Sequence, residues 1–153
     1  MTDFDTTVRV AIMDGFVTGL VPSVTSVARA LDADADQVGA AFDRLAAGRA
    51  IVLEAGTREI LMAAPFAGTH TDFSVIVGEQ SYYANCIWDA LGIPAMFAGA
   101  RRRATARIET RCPDCAMPLG LDVRDGQLVI DDSGAVVHFA VPAVRWWADI
   151  VFT

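Results

Sequence analysis

Apolar residues recur at a helical interval from the start of the chain. Val8, Ala11, Ile12, Phe16 and Leu20 share one face of a helix predicted over residues 5–20. Val21-Pro22-Ser23 breaks it, and Ser23 or Thr25 can cap a second helix over 24–31, ended by Asp32. A third helix, over 34–47, places Val38, Ala41, Phe42 and Leu45 on one face and stops at Gly48. The period then shortens towards two. Residues 51–53 and 59–62 read as a hairpin turned at Ala55-Gly56-Thr57. Three helices and a two-stranded wing make a winged-helix-like unit. The stretch 65–69, Pro-Phe-Ala-Gly-Thr, is the candidate boundary, giving units 1–66 and 67–153.

The second unit is read mainly as strands. Residues 73–77 are an apolar strand, Gly78-Glu79 a turn, and 81–85 a short extended segment in which Tyr82 and Tyr83 favour strand. Asn85 is a good N-cap for a helix opening at Cys86 and running to about Phe97, kinked or restarted at Gly92-Ile93-Pro94. From 104 to 110 the chain alternates, Ala106 and Ile108 against Thr105, Arg107 and Glu109, as a strand with one wet face does. Residues 119–123 and 127–130 form a hairpin around Asp125-Gly126. A strand over 136–141, a helical turn over 143–149 and a strand beginning at 150–152 complete the pattern. The fold class is α+β: a winged-helix-like helical unit packed on a mainly antiparallel sheet, with one helix carrying a Cys-x-x-Asp pair.

Composition narrows the setting. At 153 residues, 54% of them hydrophobic, the chain can build a core for one ordinary domain or two small ones. No apolar run reaches the roughly 18 residues of a membrane span. The acidic N-terminus lacks the layout of a signal peptide, so a cytoplasmic protein is expected. Three cysteines, an odd number, argue against a disulfide framework. The net charge of -7 disfavours nucleic acid as a partner. The third helix agrees, with Asp34, Asp36 and Asp43 against Arg44 and Arg49.

The candidate chemistry centres on Cys86 and Asp89. One helical turn apart, their Cβ atoms lie roughly 5–6 Å from each other. A thiol in the first turn meets unpaired N–H groups and the positive end of the dipole, which favour thiolate. The carboxylate opposes that charge, so one of the two groups can keep a proton. The pair is then a soft nucleophile or metal ligand beside a proton donor. The plainer alternative is a small buried hydrophobe and an exposed first-turn acid. Cys112-Pro113-Asp114-Cys115 is a second motif, a Cys-x-x-Cys turn. A zinc site needs two such pairs or added histidines, and the spacings of Cys86, His70 and His138 match no standard site. Arg101-Arg102-Arg103 reads as a solvated strand entrance, Trp146-Trp147 as a terminal anchor, and His138 as a packed core or rim residue.

The run Tyr82-Tyr83-Ala84-Asn85-Cys86-Ile87-Trp88-Asp89-Ala90-Leu91, followed by Ile93-Pro94-Ala95 and by residues 99–103 and 106–112, resembles the organomercurial lyase (alkylmercury lyase) family. The resemblance is strongest over 81–121 and looser on either side. It implies protonolytic cleavage of carbon–mercury bonds, with Cys86 as mercury ligand, Asp89 in proton transfer and Cys86 the thiol most reactive towards mercurials. It implies no organic cofactor, mercury being part of the substrate, and an organomercury or Hg(II) ligand as partner. It implies a structural role for a cysteine at Cys112 and has no clear counterpart of Cys115. It also implies a second thiolate on a later strand, yet no cysteine follows Cys115. That ligand is expected just after Thr153, lost by truncation or encoded as a selenocysteine read as stop. Otherwise it is dispensed with or replaced by Cys112 or Cys115. A competing reading is a winged-helix metal- or thiol-sensing regulator using Cys86, Cys112 and Cys115.

Overall fold

The computed structural model describes residues 2–100, 105–129, 134, 136–139 and 141–150, with 98–100 described as backbone. Three helices come first: α1 (Asp3–Val17), α2 (Val24–Leu31) and α3 (Ala35–Ala47). Each begins at a side-chain cap. Thr2 and Asp5 form a reciprocal capping box, Ser23 and Ser26 another, and Asp34 accepts the N–H groups of Asp36 and Gln37. Their apolar faces meet through Val8, Ile12 and Phe16, Val27 and Ala28, and Val38, Ala41, Phe42 and Leu45, all buried. Asp5 is buried among them, 1% exposed. It is satisfied by Arg44, whose Nε and Nη2 donate to Oδ1 at 3.0 and 2.7 Å, and by the Thr2 N–H. The Arg44 hydrogen bonds hold its carboxyl down at about 2.

The expected hairpin is a three-stranded antiparallel sheet of β1 (Val52–Leu53), β2 (Ile60–Ala63) and β3 (Phe66–Ala67), in that order. Within the stretch 65–69, Phe66 and Ala67 form β3. Phe66 is fully buried, stacks on Phe16 at 5.2 Å, leans on Tyr82 at 5.6 Å and bridges to Ala84. A Cβ at Gly68 would collide with the Ile60 carbonyl, so the glycine serves close strand packing rather than looseness. The Tyr82 hydroxyl donates to the Val17 carbonyl at 3.0 Å, tying the second sheet to α1.

The second sheet is antiparallel in the order β5-β4-β6-β7-β8. Its strands are β4 (Ser74–Val77), β5 (Gln80–Tyr83), β6 (Thr105–Arg111), β7 (Pro118–Arg124) and β8 (Gln127–Leu128). One face carries Val75, Tyr82, Ala106, Ile108 and Val123, all buried. Helix α4 (Ile87–Ala100) packs on β4 and β6 and buries Ala90, Ile93 and Phe97. It continues as one helix through Pro94, without a restart; the proline lies fully buried on the packed face, whose contacts offset the one backbone bond it cannot make.

The strand expected over 136–141 is not formed among the described residues. Val136 is exposed, and Phe139 packs against Trp88 and Trp146 rather than pairing with a strand. His138 is exposed, not packed. Ala143–Ala148 form a short 3-10 helix, and Trp147 takes the Arg49 guanidinium over its ring at 5.5 Å. Arg101 to Arg103, and the strand at 150–152 apart from Ile150, lie outside the described residues, as does Thr153. Among the described residues no helix is long and apolar enough to cross a membrane.

Phe66 is the keystone between the helices and the second sheet. Phe66→Ala is expected to cost about 3–5 kcal/mol, because a cavity opens between Phe16 and Tyr82 where neither sheet can collapse freely. Urea unfolding measures it, and a loss under about 1 kcal/mol would show that the two halves do not depend on this contact.

Candidate active site

The chain leaves β5 at Tyr83 and is held before it turns into α4. The Ala84 N–H donates to Phe73 O at 2.9 Å, and Thr71 Oγ1 donates to Ala84 O at 2.7 Å. Two residues later the helix starts. Its first backbone bond runs from Ala90 N–H to Cys86 O at 2.9 Å, so Cys86 is the N-cap, one residue later than expected for Asn85. The backbone N–H groups of Asp89 and Trp88 in this first turn favour the thiolate form of Cys86. Asp89 stands at the third helical position, beside Cys86, and its Oδ2 accepts from Asn85 Nδ2 at 2.9 Å.

Burial decides the protonation of the pair. Both side chains are half-buried. Loss of water pushes the Cys86 thiol up, the Asp89 charge adds to this, and the two N–H bonds oppose it without prevailing. The expected preference for thiolate is thus reversed: the resting group is a thiol. Asp89 is also raised by burial, against the Asn85 bond that favours its ionised form. A carboxyl group with elevated proton affinity therefore sits beside a thiol that must lose a proton to bind a soft metal.

Asn85 was read as a cap and is instead the group that orients Asp89; the four-residue Asn–Asp spacing was the available signal. Its Oδ1 is buried and has no hydrogen-bond partner among the described residues. Trp88, between the two reactive residues, is 60% exposed. It walls a cavity of about 470 Å³ with Phe139, Val141, Pro142, Ala143 and Trp146. Cys86 and Asp89 are not among those lining residues.

Cys112 and Cys115 lie at the turn joining β6 to β7, apart from this pair in sequence but at the same end of the sheet. Tyr83, Ser74, Glu109 and Gly120 pair in one row across four strands; Cys86 lies three residues past the first and Cys112 three past the third. All three cysteines are free thiols. No group of three or more His, Cys, Asp or Glu is placed to hold a metal among the described residues.

The alkylmercury lyase family profile matches residues 66–153, more than half of the chain. The protein belongs to the alkylmercury lyase family. A solved structure, the mercury-bound form of MerB2, shares its fold with a TM-score of 0.65 at 20% identity, over 85% of this chain. The present chain spans 60% of that protein's length. Among curated proteins none matches it. As in other folds, membership directs attention to the site but leaves its chemistry to be argued from residues.

The contrast between the thiols of this alkylmercury lyase family member is measurable. The Cys115 and Asp114 N–H groups draw Cys112 below the ordinary thiol range, while burial lifts Cys86 above it. Iodoacetamide, which needs thiolate, should label Cys112 well before Cys86 at pH 7. Cys86 labelling should climb about tenfold per pH unit up to pH 9, and Cys112 less steeply. Peptide mass spectrometry reads both; Cys86 labelled first at pH 7 would mean that the helix N–H groups outweigh burial.

Proposed function

We propose that the protein cleaves carbon–mercury bonds by protonolysis, with Cys86 as the mercury ligand and Asp89 as the proton carrier. The single observation behind this is a thiol at the helix start with a carboxylate of raised proton affinity beside it, in a chain of the alkylmercury lyase family. An organomercury cation meets the Cys86 thiol, the thiol proton passes to Asp89, and a sulfur–mercury bond forms. Sulfur donation weakens the carbon–mercury bond. Asp89 then gives the proton to the carbon, which leaves as hydrocarbon with the bonding pair. The sum is organomercury cation plus thiol giving hydrocarbon plus thiolate-bound Hg(II), balanced in charge and atoms. Asn85 holds the carboxylate aimed while it accepts and returns the proton.

No organic cofactor enters this scheme; mercury arrives as substrate. Reduced thiols are required, which suits a cytoplasmic setting. A second sulfur ligand can be supplied in an assay by excess small thiol. The regulator reading is weaker: Arg44 and Arg58 are tied to Asp5 and Asp43 at 2.7 and 2.6 Å, which withdraws them from phosphate contacts.

The experiment is benzene release from phenylmercury in excess monothiol, followed by gas chromatography. Turnover above buffer supports the proposal. Tight methylmercury binding with no benzene would reduce the protein to a mercurial-binding module.

A further inference from the structure

We propose that Cys112 and Cys115 form a two-thiolate binding site for a soft d10 metal ion, Hg(II) above others. The β6–β7 turn closes around a Cys-x-x-Cys pair. The Cys112 N–H donates to Met117 O at 2.9 Å and the Ala116 N–H to Cys112 O at 2.8 Å, closing the loop on itself. Ala116 takes a left-handed conformation, φ 57°, to make that closure. The two cysteines stand three residues apart inside this closed loop. Cys115 is exposed, Cys112 half-buried, and neither is in a disulfide, so an ion can reach both.

The number of ligands selects the ion. A structural zinc site takes four protein ligands. Among the described residues no third His, Cys, Asp or Glu joins this pair. An ion content with two sulfurs fits, and Hg(II) prefers such coordination. Binding needs no oxidant or reductant: Hg(II) and two thiols give a mercury dithiolate and two protons. The turn lies at the same end of the sheet as Cys86, so Hg(II) left by carbon–mercury cleavage could pass to it by thiol exchange. That handover, unlike the site itself, rests on the proposed lyase chemistry.

The chain has three cysteines, so Cys86→Ser leaves the turn pair as its only thiols. Serine keeps the cap of α4. One equivalent of inorganic Hg(II) is added in excess 2-mercaptoethanol, and native mass spectrometry counts the metal retained. The expected result is one mercury per chain with two protons displaced. Adding Cys115→Ser, at an exposed position, should weaken retention roughly a hundredfold through loss of the chelate. Equal retention with and without Cys115, or mercury lost to the monothiol from the Cys86→Ser chain, overturns the proposal. So does a zinc(II) arm that yields two chains joined by one zinc through four sulfurs. Benzene release from the unaltered chain is read separately, so its absence would sink the lyase reading while leaving this site standing.

Discussion

Cys86→Ser should reduce phenylmercury cleavage to the rate in buffer while leaving the protein folded. The two outcomes separate because the residue has two jobs. As the N-cap, Cys86 offers its carbonyl to the Ala90 N–H at 2.9 Å. Serine is among the preferred caps, so stability should stay within about 1 kcal/mol. As a ligand, sulfur is soft and serine oxygen is hard, and a soft metal discriminates strongly between them. Without the sulfur–mercury bond there is no donation to weaken the carbon–mercury bond and nothing to hold the substrate by Asp89. Activity and urea unfolding on the same preparation test both halves. Cleavage surviving in Cys86→Ser would transfer the reaction to the turn thiols.

Asp89→Asn should slow single-turnover cleavage roughly 100- to 10,000-fold, the usual contribution of a positioned proton donor. Mercurial binding should survive, because Cys86 is retained. Asparagine matches the shape and can still accept from Asn85 Nδ2, but it carries no transferable proton. The variant also has a signature that a merely structural role would not give. The Asp89 charge raises the Cys86 thiol; its removal lowers that thiol, so Cys86 should be alkylated faster at fixed pH while its mercurial is cleaved more slowly. Slower cleavage with unchanged or slower alkylation would mean that Asp89 acts through the fold.

Much of this arrangement was legible in the residue pattern. Val8, Ile12 and Phe16, and Val38, Phe42 and Leu45, repeat at helical spacing because local burial alone dictates it. Ala106 and Ile108 alternate against wet neighbours because one sheet face is covered by α4. What escaped notice depends on distant partners. Phe66 and Ala67 stand between Pro65 and Gly68, which look like punctuation, and their strand exists only because Ala63 and Met62 pair with them. Phe139 sits in a strand-like run but finds Trp88 and Trp146 instead of a neighbouring edge. The Cys-x-x-Asp spacing placed the pair on one turn correctly; the sign of the thiol shift did not follow from it. Helix position argues for thiolate, burial for thiol, and burial is a property of the packed molecule.

The central claim is that mercury is bound at Cys86 and its carbon is protonated there. One measurement bears on it most directly: peptide mass spectrometry after a single turnover with limiting phenylmercury. At the earliest times the peptide containing Cys86 should carry mercury without its phenyl group, before any reaches the peptide holding Cys112 and Cys115, with a matching amount of benzene in the headspace. An intact phenylmercury adduct on Cys86 that persists, or mercury found on the peptide holding Cys112 and Cys115 with Cys86 untouched from the earliest times, would contradict it.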